Sequence, residues 1–335
     1  MRPTLQQLGM AWGRLPPGPT DSIVDVPGVR VGHVTLWWGD GALDVGWGPV
    51  RTGVTAAVPP GAPGPWTAAV HVINGYGKSV GLLQVAELGQ LESPIFLTNT
   101  LSVAAVLQGY LRHLRDGGQF HPGQSRNVVV AECNDGYLND LWGFAVQPHH
   151  AEAALAAASA SPPAQGSVGA GTGMAGFGHK GGVGTASRRL PGGRTVGVLV
   201  LLNCGEAKDL ITHPARAAAR PAPGDGSIII VVATDAGLDR WDLARAARRA
   251  SHGLGRVGAY SAPGSGDVVV AVDVADPDGS TARDLEPLFL ATAEATSAAI
   301  WNALLTAETV VGRDGHVLYA LPPELAPQNA TRRPD

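Results

Sequence analysis

Short runs of Val, Ile, Leu and Ala punctuate this chain at 67–73 (TAAVHVI), 127–132 (NVVVAE), 195–203 (TVGVLVLLN), 227–234 (SIIIVVAT) and 267–274 (DVVVAVDV). Each is rich in Val and Ile and lies near turn formers, the pattern of a buried strand. Elsewhere the apolar period lengthens. Val103, Val106, Leu107, Tyr110, Leu111 and Leu114 recur at helical spacing after the candidate caps Asn99 and Thr100, and Gly117 closes that segment. A second helix is expected from Asp239 to about Ser251, with Leu243, Ala244, Ala247 and Ala250 inward and Gly253 as its stop. A third covers 285–305. Strands alternating with such helices predict a mixed α and β class whose sheets are covered by helices. Two segments read as linkers. SASPPAQGSV (159–168) follows an Ala-rich helix, and ARAAARPAPGDG (215–226) is small, basic and Pro-rich, as an exposed, mobile segment would be. The termini, including PQNATRRPD, are expected to fray.

Composition fits this pattern. The chain has 335 residues, 44% hydrophobic and 16% charged, which suits a folded globule of one large domain or two moderate ones. Its 46 glycines are about twice the usual share; without a strict repeat they imply tight turns and close backbone contacts, not collagen. A net charge of -4, with no interleaving of basic and aromatic residues, gives no case for a nucleic-acid partner. The first twenty residues lack a signal-like apolar core, and no stretch approaches the roughly 18 uncharged apolar residues of a membrane span, so no membrane partner is expected. Cys133 and Cys204 have no CxxC spacing, which indicates neither a zinc knuckle nor a disulfide scaffold and fits a reducing cytoplasm.

Several motifs carry candidate chemistry. GTGMAG (171–176) matches G-x-G-x-x-G, but no strand leads into it and the glycine-rich segment that follows is a poor helix, so a dinucleotide site lacks its context. The pair His149-His150 has no carboxylate or Cys at ligand spacing and reads as solvated surface, with no metal called for. GKSVG (77–81) matches the nucleophile elbow of an α/β-hydrolase, with a strand before it and an apolar-periodic stretch after it. That serine-esterase reading would use Ser79, with Asp235 and His316 downstream; the plainer reading is a tight strand-to-helix turn.

The sharper feature is PGDGSIIIVVATDA (223–236), where Ser227 stands between Asp225-Gly226 and an unbroken apolar run. If the bond after Gly226 is cut, Ser227 gains a free α-amine whose pKa of about 7.7–8.0 lets one residue carry both nucleophile and base. The same hydroxyl can make the cut by attacking the Gly226 carbonyl, which glycine leaves uncrowded in a backbone that tolerates strain. A serine that merely caps a strand is the alternative.

Over nearly its whole length the chain resembles the peptidase family of L-aminopeptidase D-amidase/D-esterases and β-peptidyl aminopeptidases, which also includes nylon-oligomer hydrolases. The likeness runs in order through DSIVDVPGVRVGHVTL, VRTGVTAAVPP, NGYGKSVGLLQVAELGQLESPIFLTNTLSV, AECNDGYLND, GAGTGMAGFGHKGGVGTASR, GVLVLLNCG, GDGSIIIVVATDA and GLGRVGAYSAPGSGDVVVA. The resemblance implies an α+β fold, a four-layer αββα sandwich of the self-processing N-terminal-nucleophile type. It implies one catalytic domain over 1–335, cut between Gly226 and Ser227 into chains 1–226 and 227–335 that stay associated, as a homotetramer of processed pairs.

The resemblance also implies roles. Ser227 is the nucleophile, Asn203 donates its amide to the oxyanion, and Ser265 and Asp267 orient the new amine and relay protons; some relatives carry Glu where Asp267 stands. Glu132 holds the substrate ammonium, and Asn134 and Tyr137 shape the pocket. A carboxylate ending a buried run is costly unless paired, so Glu132 needs either that amine or an internal Arg or Lys. The implied substrate is a small peptide, amide or ester with a free amino group, and no metal or organic cofactor is required. A catalytically silent relative that binds small amines is the non-enzymatic alternative, and acyltransferases with a Thr nucleophile share the architecture.

Overall fold

The computed structural model describes residues 2–211, 226–275 and 284–327. Most of the expected linker 215–226 and the tail 328–335 therefore lie outside the described residues. A four-stranded sheet carries β1 (Arg30–Trp38), β2 (Val50–Val58), β5 (Ile95–Asn99) and β6 (Val129–Cys133) in that order. A six-stranded sheet runs β4 (Gln90–Leu91), β3 (Trp66–Gly75), β12 (Gly266–Asp273), β11 (Ser227–Thr234), β10 (Thr195–Asn203) and β9 (Gly182–Arg189). Pairing is parallel in β5/β6 and β11/β12, and antiparallel in the other ladders of these sheets. Two short hairpins, β7/β8 (Ala175–Gly176, His179–Lys180) and β13/β14 (Val310–Val311, Val317–Leu318), stand apart.

Strand alternation sorts the apolar side chains into three cores. Val129, Ala131 and Cys133 of β6 meet Leu199, Leu201, Ile229 and Val231 between the sheets. On the far side of the six-stranded sheet, Val198, Val200, Ile228 and Ile230 pack under α4 (Arg240–Gly255) and α5 (Glu286–Thr306). Beyond the four-stranded sheet, Val54, Ala56 and Val130 pack under α2 (Val103–Asp116) and α3 (Pro148–Ala156). The result is the expected four-layer αββα sandwich. At about 1.5–3 kcal/mol for each fully buried Val, Leu or Ile, these cores are the main source of stability.

Four local expectations are corrected. The second helix runs through Gly253 to Gly255, because that glycine admits α5: a Cβ there would lie 2.5 Å from Thr296 Cβ and 2.6 Å from the Ala293 carbonyl. Ser102 holds the N-cap position of helix α2 after a 3-10 turn over Thr100–Ser102, Asn99 holds that of the turn, and neither side chain makes a capping hydrogen bond. Segment 159–168 is a seam and not a linker, since Ser159 exchanges two backbone hydrogen bonds with Val31 of one sheet and Gly166 two with Val183 of the other. The N-terminus does not fray over its described part. Leu5 is buried and its N–H donates to Asn302 Oδ1 at 2.9 Å, Trp12 Nε1 donates to Ser297 Oγ at 2.7 Å, and the N–H groups of Arg14 and Leu15 donate to the Glu294 carboxylate, all on α5. This strap helps make α5 a core helix. Among the described residues it is the one helix long and apolar enough, by length and composition, to cross a membrane, and 89% of that window is buried here.

Candidate active site

Sheet register assembles the site. Antiparallel pairing puts Ser227 opposite Asn203, and parallel pairing puts it opposite Gly266, which is flanked by Ser265 and Asp267. Alternation then divides their side chains. Asn203 and Ser227 share the strand faces of Leu201 and Ile229, toward the other sheet, whereas Asp267 shares the face of Val269, toward the helices. The hydroxyl of Ser227 therefore lies on the asparagine side, and the backbone nitrogen that meets Asp267 is that of the next residue, Ile228.

Each group is held by named contacts. Asp267 is fully buried; its Oδ1 accepts Ser265 Oγ–H at 2.6 Å and the Ile228 N–H at 3.1 Å, and its Oδ2 has no partner. The turn before Asp267 is fixed by Asn74, whose Nδ2 donates to the carbonyls of Ala262, Pro263 and Ser265. Ser227 Oγ is buried without a hydrogen-bond partner. The Cys133 thiol lies beside it without completing a bond; burial, then the Glu132 charge, pushes that thiol well above its ordinary pKa. The Gly226 carbonyl accepts the Gly266 N–H at 3.1 Å. Only glycine fits at 266, where a Cβ would come within 2.7 Å of the Gly77 backbone. Asn203 accepts the Ala175 N–H on Oδ1 at 2.8 Å and donates one Nδ2–H to the Asn134 carbonyl at 2.9 Å, leaving the second N–H of the amide.

Of these groups Asn203, Gly226 and Ser265 line a cavity of about 380 Å³, with Asn134, Tyr137 and Arg313 on one wall and the 259–262 loop also present, while Ser227 and Asp267 lie behind its walls. Tyr137 stacks on His316, with ring centroids 4.5 Å apart. Glu132 is not among the cavity's walls. It is 2% exposed, its carboxylate accepts the Lys78 N–H at 2.6 Å and the Thr100 hydroxyl, and among the described residues no Arg or Lys pairs with it. Its internal partners are therefore a backbone N–H and a hydroxyl. Behind the wall, burial raises Asp135 to about 7 and lowers Lys180 to about 7. Lys180 Nζ donates to the carbonyls of Gly171 and Gly181; the GTGMAG segment leaves a 3-10 turn over Gly169–Gly171, enters β7, and gives Asn203 its Ala175 N–H.

The esterase constellation does not assemble. Asp235 accepts the Thr195 N–H at 2.7 Å, at the opposite end of β10 from Asn203, while His316 accompanies Tyr137. Nine residues of strand at about 3.3 Å each separate those ends by roughly 26 Å. Ser79 is a half-buried residue of the segment before α1 (Leu82–Leu88), with its hydroxyl turned inward, and does not line the cavity. His149 and His150 open α3, where His150 Nδ1 accepts the Gln147 N–H. Sequence reasoning gave no role to the N–H groups of Gly266 and Ala175, the 259–262 loop or Arg313. The segment GAYSAPGSGD was noticed only as part of the resemblance, and backbone donors leave no side-chain signature.

Comparison with known proteins bears on the whole chain. The family model described as Peptidase family S58 matches residues 21–318. A β-peptidyl aminopeptidase of Sphingosinicella microcystinivorans is 39% identical, covering 96% of this chain and 90% of its own. Among solved structures, a β-aminopeptidase of a Burkholderia species superimposes with a TM-score of 0.84 at 38% identity over 100% of both chains. The L-aminopeptidase D-Ala-esterase/amidase of Ochrobactrum anthropi, described as a prototype for the serine aminopeptidases and a new variant of the Ntn hydrolase fold, gives 0.84 at 32% identity over 96% of both.

Proposed function

The chain belongs to peptidase family S58 and is a hydrolase acting on N-terminal residues, and we propose that it does so after cutting itself before Ser227. The observation that carries this reading is the buried, unpartnered Ser227 Oγ at the head of β11, bracketed in register by Asn203 and by the hydrogen-bonded Ser265–Asp267 pair.

In the first event Ser227 Oγ attacks the Gly226 carbonyl carbon, the C–N bond breaks, and an ester links Gly226 to the serine oxygen. Water cleaves that ester, releasing a Gly226 carboxylate and the free α-amine of Ser227. The Gly266 N–H, already on the Gly226 oxygen at 3.1 Å, polarises the carbonyl and stabilises the charge that develops.

In turnover the new amine takes the proton of Ser227 Oγ as it attacks the substrate carbonyl. Ser265 and Asp267 hold that amine from the helix-facing side, and the remaining N–H of Asn203 donates to the oxyanion, a contribution of about 3 kcal/mol when so aimed. The leaving amine departs protonated, and water releases the acyl group. The substrate in this reading is a small peptide, amide or ester with a free amino group, with β-amino N-terminal residues included by likeness to the β-aminopeptidases. Assembly into a homotetramer of processed pairs belongs to the same reading.

The test is the intact mass of the denatured protein with N-terminal sequencing. Two chains, the smaller beginning Ser-Ile-Ile-Ile, are expected from the native sequence and a single chain without aminopeptidase activity from Ser227→Ala. Processing and hydrolysis that persist in Ser227→Ala would reject the proposal.

A further inference from the structure

One wall of the cavity carries a hydrogen-bonded path from the residue paired with the candidate nucleophile to a cation. Asn203, in register with Ser227, donates to the Asn134 carbonyl at 2.9 Å. Asn134 Oδ1 accepts the Gly136 N–H at 2.9 Å, and the Gly136 carbonyl accepts Arg313 Nε–H at 2.7 Å. The Arg313 backbone is tied to the same segment, its N–H donating to the Leu138 carbonyl at 2.9 Å. The preceding Gly312 allows this approach, since a Cβ there would meet that carbonyl oxygen at 2.3 Å.

The charged residues on the cavity's walls are Arg313 and Glu206. Glu206 is mostly exposed and turned to Lys208 at 2.7 Å, whereas the Arg313 side chain is 26% exposed and anchored at two atoms. Its Nε is on Gly136 and one terminal nitrogen is 2.7 Å from Asp314 Oδ2. Asp314 is itself engaged, its other oxygen accepting the Leu43 N–H at 2.8 Å. A guanidinium has five donors in a rigid fork, so donors remain after these two bonds.

We propose that Arg313 determines specificity, selecting substrates that carry a carboxylate within a short reach of the bond to be cut. This rests on the Ser227-centred aminopeptidase reading and names a substrate class for that site. A planar fork held at two atoms is preorganised for a carboxylate, and little ordering remains when one arrives. The cavity, about 380 Å³, lies at the small end of the ~300–1,000 Å³ typical of ligand sites. A substrate that fits is short, so its charged end lies within the same cavity that Asn203, Gly226 and Ser265 line. That carboxylate can be the free C-terminus of a short peptide or the acidic side chain of its first residue.

The experiment measures kcat/KM on the processed protein for two matched pairs: a dipeptide against its C-terminal amide, and an Asp-amide against the corresponding Asn-amide. A preference of about tenfold for the carboxylate member of one pair is expected, carried mainly by KM, the scale of one charge-assisted contact in a partly solvated site. The first pair identifies the C-terminus as the source, and the second the side chain. Arg313→Gln brings the ratio to about one, and Arg313→Lys keeps part of it. Ratios near one in the native protein, or ratios untouched by Arg313→Gln, overturn the inference. Each ratio compares two substrates on one preparation, so a lower folded fraction cancels. If Arg313→Gln does not fold, the native ratio is read at low salt and at about 1 M, where a screened charge contact loses its effect. A ratio that falls toward one supports Arg313, and an unchanged ratio overturns it. Native protein that turns over none of the four substrates, nor a β-amino amide or an amino ester, removes the aminopeptidase reading itself, while turnover without discrimination removes only Arg313.

Discussion

Ser227 and Asp267 differ by one step of strand register, and that step decides what each can touch. Because Ser227 pairs with Gly266 and not with Asp267, the carboxylate meets the backbone one residue on, accepting the Ile228 N–H. Asp273 closes the same strand at its other end with a different balance. It accepts the N–H groups of Leu238 at 2.7 Å and Ala275 at 3.0 Å, yet burial dominates and raises it from 3.8 to about 6. The folded chain thus keeps this proton to about pH 6 while the unfolded chain releases it near 3.8. Folding binds a proton between those values, so stability is greatest at the acid end of the window and falls as pH rises through it. The expected loss is about 2–3 kcal/mol. Asp273→Asn mimics the protonated form at every pH. Urea midpoints of native protein and variant, compared from pH 4 to 7, should diverge as pH rises, with the native protein losing ground; parallel curves would reject the raised pKa.

Among the elements, β10 and β11 were readable to the residue, since strands buried on both faces are continuous apolar runs with abrupt ends. Ser227 and Asn203 sit at such ends, but it was the family resemblance that put Asn203, Ser265 and Asp267 forward together with Ser227. Arg313 could not be found that way, because its contact with Gly136 spans 177 residues of sequence. Glu132 looked like a bare carboxylate only because Lys78 and Thr100, which hold it, are distant in sequence. Gly253 was misread as a helix stop because spacing along one helix says nothing of the neighbour it must admit. Gly184 in β9 makes the same point at the sheet. A Cβ there would lie 2.0 Å from the Ala299 carbonyl oxygen and 2.5 Å from the Ala303 nitrogen, both backbone atoms of α5 that no rotamer change can move. Gly184→Ala is therefore expected to destabilise by about 1–3 kcal/mol by forcing α5 off the sheet. An unchanged urea midpoint would show that the helix can lift without cost.

For the whole molecule, the proposed cut falls inside an interleaved sheet. The spatial order β3–β12–β11–β10 places two strands of the 227–335 chain between two strands of the 1–226 chain. Each inner strand keeps a ladder with a strand across the cut, and α5 of the second chain lies under the 2–15 strap of the first. Cutting one bond at Gly226 removes none of these hydrogen bonds and exposes none of the three cores. Separating the chains would expose the apolar faces of β10, β11, β12 and β3 along with unpaired ladder groups, each costly to leave unmade. The two chains are therefore expected to remain one particle after processing. Native mass spectrometry should report the summed mass of both chains or a multiple of it, four pairs under the assembly proposed above, and the separate chains only after denaturation. A free 227–335 chain under native conditions would mean that the strands do not interleave as described, and with them would go the register that brings Asn203 and Ser265 to Ser227.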